Sequence, residues 1–121
     1  MKSIAIIDDE NQILDILNKY LSRSGKFHID TYDNPLNAIN HVKSGKYDLI
    51  ICDIMMPQMN GIDLLSEVKK LKPSQKFIMI TAYSTEEKII QCDQLNADDY
   101  ITKPFISLRD IENKILDKLN L

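Results

Sequence analysis

The chain has 121 residues and a net charge of −3, with 15 Lys and Arg against 18 Asp and Glu; 44% of it is hydrophobic and 27% charged. That length suits one domain, and the balance supplies a packed core and excludes a disordered chain. There is no basic excess for nucleic acid and no apolar run of bilayer length, so neither nucleic acid nor a membrane is expected as a direct partner.

Met1-Lys2-Ser3 leads directly into a first predicted strand, Ser3 to Ile7, which leaves no room for a signal peptide. Ile13, Leu14, Leu17, Tyr20 and Leu21 then fall at helical spacing, and Gly25 stops that helix. Phe27 to Tyr32 reads as a short, polar strand suited to a sheet edge. Asn34-Pro35 gives an N-cap with proline at the first helical position; Ala38, Ile39 and Val42 form the buried face, and Gly45 ends the helix. Tyr47 to Cys52 is a continuous apolar run, as expected of a central parallel strand. After a loop with breakers at Pro57 and Gly61, Ile62, Leu65, Val68 and Leu71 mark a helix that ends before Pro73. Phe77 to Ile80 is the fourth strand. Ser84 and Glu87 have capping-box spacing for a helix carrying Ile89, Ile90 and Leu95. A short strand around Tyr100 to Thr102 and a last helix with Leu108, Ile111, Ile115, Leu116 and Leu119 complete the pattern. Five strand–helix units with short connections predict a three-layer α/β sandwich on a parallel sheet. Cys52 and Cys92 belong to no CxxC pair and are expected as reduced thiols of a cytoplasmic protein.

Four of the strands run into residues able to handle phosphate or a metal: Asp8 and Asp9, Asp53, Thr81, and Lys103. In an open parallel sheet the carboxyl ends form the ligand-binding rim. Singly, each residue has an ordinary explanation, as a first-turn acid, a cap, a strand end or a solvated lysine. Their joint occurrence at four strand ends does not. Asp8, Asp9 and Asp53 side by side repel one another unless a cation joins them, and carboxylate oxygens suit Mg²⁺. No His lies at these strand ends, and Cys52 points away by strand alternation, which disfavours zinc. With the cation present, Asp53 becomes a nucleophile toward phosphorus, Thr81 a hydroxyl donor, and Lys103 a flexible charge for phosphate; Ala82 leaves access open.

These residues lie in Ile7-Asp8-Asp9-Glu10, in Asp53-Ile54-Met55-Met56-Pro57-Gln58-Met59-Asn60-Gly61, in Ile80-Thr81-Ala82-Tyr83, and in Asp99-Tyr100-Ile101-Thr102-Lys103-Pro104-Phe105. On these motifs the whole chain, 1–121, resembles the receiver domain of bacterial two-component response regulators, single-domain and chemotaxis-regulator-like or phosphorelay-like. The resemblance implies a flavodoxin-like strand order 2-1-3-4-5. It implies that Asp53 accepts a phosphoryl group from a phosphohistidine on a sensor histidine kinase or a histidine phosphotransfer protein. Asp9, Asp53 and the backbone carbonyl of Met55 would hold Mg²⁺, with Asp8 acting through water. Thr81, Ala82 and Lys103 would bind the phosphoryl group, and the Lys103–Pro104 bond would be cis. A switch is implied in which Thr81 turns to the phosphoryl group, Tyr100 fills the vacated space, and the face of the fourth helix, fifth strand and fifth helix meets an unidentified downstream protein. Positions 55 and 83 would tune loss of the phosphate, and an apolar Met55 offers water no base. Asn96 stands where the family usually has glycine, and asparagine also tolerates a left-handed helix end.

Other functions fit less well. A phosphatase with an aspartate nucleophile generally has a D-x-D pair after its first strand, whereas here the aspartates are adjacent. A flavin or nucleotide binder needs a phosphate loop there, and Asp8-Asp9-Glu10 repels phosphate. A degenerate receiver that binds partners without phosphorylation would not need the complete acceptor set. The sequence is compatible with a natural single-domain regulator or with a piece of a longer chain.

Overall fold

A computed structural model describes residues 1–82 and 85–121. Its elements are β1 (Lys2–Ile7), α1 (Asn11–Ser22), β2 (Phe27–Tyr32), α2 (Pro35–Lys43), β3 (Leu49–Asp53), α3 (Gly61–Leu71), β4 (Lys76–Thr81), α4 (Glu86–Gln94), β5 (Asp99–Thr102) and α5 (Leu108–Lys118). The strands pair in parallel in the order β2-β1-β3-β4-β5. That is the flavodoxin-like order the resemblance implies.

Strand alternation divides the core into two layers. Ala5, Ile7, Ile50, Cys52, Phe77 and Met79 pack under α2, α3 and α4, against Ala38, Val42, Leu65, Val68 and Cys92. Ile4, Ile6, Leu49, Ile51, Ile78 and Ile80 face α1 and α5, against Leu14, Leu17, Ile111 and Ile115. Every residue of β3 is buried, as a strand covered on both faces must be. Among the described residues no helix is long and apolar enough to cross a membrane.

Local chemistry sets the helix ends. Asn34 Oδ1 accepts from Leu36 N at 2.9 Å, with Pro35 at the first helical position. Asn96 takes a φ of 66° after α4, the left-handed value that asparagine tolerates. Three details of the helices differ from the sequence reading. Gly61 is the first residue of α3 rather than a loop breaker, because Asn60 Oδ1 caps the helix through Ile62 N at 2.7 Å. The expected cap of α4, Ser84, lies outside the described residues; Thr85 is the N-cap, its side chain accepting from Lys88 N. The buried residue of α4 is Cys92, while Ile90 is exposed.

β3 begins at Leu49, not at Tyr47. The Tyr47 ring is buried, but its hydroxyl leaves the apolar pattern to hold the edge strand. It donates to Asp30 Oδ2 at 2.6 Å and lies 2.6 Å from the Tyr32 hydroxyl. His28 Nε2 lies 3.2 Å from Asp30 Oδ1, and His41 stacks on Tyr32, so both histidines sit at this edge. Tyr47→Phe leaves the Asp30 carboxylate and the Tyr32 hydroxyl short of a partner. A loss of about 1–3 kcal/mol is expected, read as a lower urea midpoint with an unchanged slope.

Candidate functional site

The expected residues meet at the carboxyl ends of β1, β3, β4 and β5. Asp8 follows β1. Its backbone N donates to Tyr32 O at 3.1 Å, its side chain is fully buried, and Oδ1 accepts from Glu10 N at 2.9 Å. Asp9 and Glu10 are exposed beside it. Asp53 ends β3, buried, with Oδ1 accepting from Met55 N at 3.3 Å. Thr81 ends β4, also buried, and Ala82 is exposed just beyond it. Lys103 follows β5. Its backbone N donates to Thr81 O at 2.8 Å, and its peptide bond to Pro104 is cis.

The loop after Asp53 is held on both sides. Ile54 N donates to Ile80 O at 3.0 Å, and Gly61 N donates to Ile54 O at 2.9 Å. A Cβ built on Gly61 would overlap the carbonyl oxygen of Asp53 and lie 2.9 Å from its carbon. The close approach therefore requires glycine at this position.

The electrostatics centre on Lys103. Its Nζ lies 2.9 Å from Asp8 Oδ2, 2.9 Å from Glu10 Oε1 and 3.2 Å from Asp53 Oδ2. Hydrogen bonds go to Glu10 and Asp53. Asp8 Oδ2, although an ion-pair partner, accepts no well-directed hydrogen bond. Burial alone would lower the Lys103 pKa; its contacts with Glu10 and Asp8 and the charge of Asp53 outweigh that and hold it above the usual value. Burial raises the Asp8 pKa to about 6, against the Glu10 N–H and the Lys103 ammonium, with the Asp53 charge adding to the rise. Burial also raises Asp53, opposed by Lys103 and by the Met55 N–H.

The carboxylates of Asp8, Asp9 and Glu10 offer oxygens within 4.8 Å of one another, and Lys103 links this group to Asp53. Three of these four acids, Asp8, Glu10 and Asp53, share the Lys103 ammonium, and Asp8 Oδ2 is buried without a hydrogen bond. An all-oxygen donor set with that excess of negative charge fits a hard divalent cation such as Mg²⁺.

Met55 reaches the site through its backbone N; its side chain is exposed, with Lys88 Nζ 2.7 Å from its sulfur. The Tyr100 hydroxyl donates to Asp93 of α4 and lies 3.5 Å from Ile89 O. Lys114 Nζ donates to Tyr100 O at 2.5 Å from the α5 side. Asp93 and Lys114 had no role in the sequence reading, and Glu10 entered it only within the acidic run Asp8-Asp9-Glu10. Its contact with Lys103 was not foreseen. Tyr83 lies outside the described residues. A cleft of about 740 Å³ opens beside Lys103, walled by Ile13, Ile16, Phe105 and Leu108.

A family model described as "Response regulator receiver domain" matches residues 4–116. The transcriptional regulatory protein CusR of Escherichia coli (strain K12) is 37% identical over 102 residues, which are 84% of this chain and 44% of CusR. The response regulator SaeR of Staphylococcus aureus (strain USA300) is 38% identical over 105 residues, 87% of this chain and 45% of SaeR. The chain thus spans less than half the length of these curated relatives. A CheY-like response regulator receiver domain protein from Methanospirillum hungatei JF-1 superposes with a TM-score of 0.90 at 32% identity, covering 99% of this chain and 94% of the other.

The raised Asp8 pKa has a defined sign. The folded state holds this proton more tightly than the unfolded chain, so ionising Asp8 costs stability as pH rises from about 4 to about 6. In the presence of a chelator, the stability of Asp8→Asn relative to the unsubstituted protein should grow across that window, approaching about 3 kcal/mol at neutral pH. Urea unfolding at a series of pH values measures the difference.

Proposed function

The chain belongs to the response regulator receiver family, and on that premise we propose that it is a Mg²⁺-dependent phosphoacceptor of a two-component system or phosphorelay, with Asp53 as the acceptor. Receiver domains are signalling domains, and this one is read as a switch rather than a turnover enzyme. The observation that carries the reading is the Asp53 carboxylate, buried at a strand end with Lys103 Nζ 3.2 Å away.

An Asp53 oxygen attacks the phosphorus of a phosphohistidine. The O–P bond forms as the N–P bond breaks, and the imidazole leaves with the electron pair. Lys103 transfers its hydrogen bond from the carboxylate to a phosphoryl oxygen, and Thr81 and Ala82 line the approach. Asp9, Asp53 and the Met55 carbonyl would hold Mg²⁺, with Asp8 acting through water. When bound, the ion supplies neutralisation of charge on the phosphoryl oxygens.

The donor would be a sensor histidine kinase or a histidine phosphotransfer protein. The apolar cleft beside Lys103 supports docking of a helix that presents the phosphohistidine next to Asp53. The output would run through Thr81 and Tyr100 to the face of α4, β5 and α5 and a protein bound there. The reading places the chain in the cytoplasm and, with a net charge of −3, assigns it no nucleic-acid contact of its own.

Incubation with Mg²⁺ and acetyl phosphate should add one phosphoryl group by intact mass, absent from Asp53→Ala and from a sample held in chelator. No adduct in the folded, Mg²⁺-loaded protein, or the same adduct after Asp53→Ala, would overturn the reading. In the switch, turning Tyr100 breaks its bond to Asp93. Asp93→Ala removes that cost and should speed phosphorylation by acetyl phosphate up to about five-fold, followed by timed mass spectrometry.

A further inference from the structure

We propose that Glu10 is a positioning residue for Lys103: it draws the lysine ammonium toward solvent, off the buried carboxylates, so that a divalent cation can take their oxygens. The inference rests on the phosphoacceptor reading above.

Lys103 has three ammonium protons and three carboxylates around them, at 2.9 Å (Asp8), 2.9 Å (Glu10) and 3.2 Å (Asp53). These three partners are not equivalent. Asp8 and Asp53 are buried, and each has its other oxygen tied to a backbone N–H, from Glu10 and from Met55. They cannot follow the lysine if it moves. The Glu10 side chain is 59% exposed, while that of Lys103 is only 11% exposed. Glu10 is therefore the one partner able to move outward with the ammonium.

A divalent cation, reaching Asp8 through its bound water and Asp53 directly, competes with the ammonium for Asp8 Oδ2 and Asp53 Oδ2. For the cation to enter, the ammonium has to withdraw. Without Glu10 it would leave two buried carboxylates for water alone. With Glu10 it exchanges them for an ion pair at the solvent boundary, and the withdrawal costs less. Glu10 also adds negative charge at the mouth of the site, which favours the same cation. Both effects have one sign, but only the first acts through Lys103, and a double-mutant cycle separates them.

The experiment is calorimetric titration of Mg²⁺ into the full chain at low ionic strength. The proteins are the unsubstituted chain, Glu10→Gln, Lys103→Met and the double variant. Glu10→Gln should raise the Mg²⁺ Kd about three- to five-fold, as expected for loss of an exposed ion pair. With Lys103→Met in the background, the same substitution should change Kd less than about two-fold. An unchanged Kd in Glu10→Gln overturns the proposal, as does an equal factor in both backgrounds. Where Lys103→Met fails to fold, Glu10→Asp replaces it, keeping the charge but one methylene short of the ammonium. Weakening equal to that of Glu10→Gln supports the proposal, and an affinity equal to that of the unsubstituted chain overturns it. If the unsubstituted chain itself gives no Mg²⁺ heat, the phosphoacceptor reading falls as well. Normal binding with an indifferent Glu10 removes only the present inference.

Discussion

The structure turns on the burial of two like charges at the end of neighbouring strands. Asp8 follows β1 and Asp53 ends β3, and the strand order sets these two strands side by side. Both carboxylates are buried, and burial raises the cost of ionising each, with the Asp53 charge adding to that of Asp8 and the Asp9 charge to that of Asp53. One ammonium, on Lys103, offsets both while also serving Glu10. A buried pair of this kind adds little net stability, because desolvation consumes most of the attraction. Its consequence is a rim that carries more negative charge than its one ammonium offsets. The excess of carboxylates suits a divalent ion, and the lysine among them is a flexible point charge of the kind that suits phosphate.

The fold exists around this imbalance. Two apolar layers, one under α2, α3 and α4 and the other under α1 and α5, fix the sheet independently of the rim. Backbone hydrogen bonds then lock the rim to the sheet: Asp8 N to Tyr32 O, Ile54 N to Ile80 O, and Lys103 N to Thr81 O. Rigid elements thus hold charges that would otherwise separate. Side chains with slack lie at the periphery: Glu10 and Met55 are exposed, Lys88 is half-buried, and the Tyr100 hydroxyl reaches out to Asp93.

The framework was legible in the sequence wherever apolar periodicity and turn chemistry agreed. The Asn34-Pro35 start of α2, the bounds of β2 and the burial of β3 are all written in local residue types. The gathering of Asp8, Asp53, Thr81 and Lys103 was legible because each ends a strand, and a parallel sheet brings such ends together. Contacts that depend on side-chain reach were not. Nothing in the spacing of Glu10 and Lys103 says that they touch, since 93 residues separate them. Nor does the pattern around Tyr47 reveal that its hydroxyl pins the edge strand, because an apolar run records the ring and not the oxygen. The face of α4 was misjudged for a related reason. Its apolar residues are few, and the small Cys92 fills the buried position that Ile90 was expected to share.

Gly61 sets one further consequence. Its backbone lies so close to the Asp53 carbonyl that even a methyl group is excluded, and its N–H anchors the adjoining loop to Ile54. The main chain bearing the acid is thus wedged between a helix start and β4, with no room to recoil. Any strain introduced at that carboxylate must be discharged sideways, through side chains of neighbouring strands. The residue with no side chain thereby determines which parts of the molecule are free to respond.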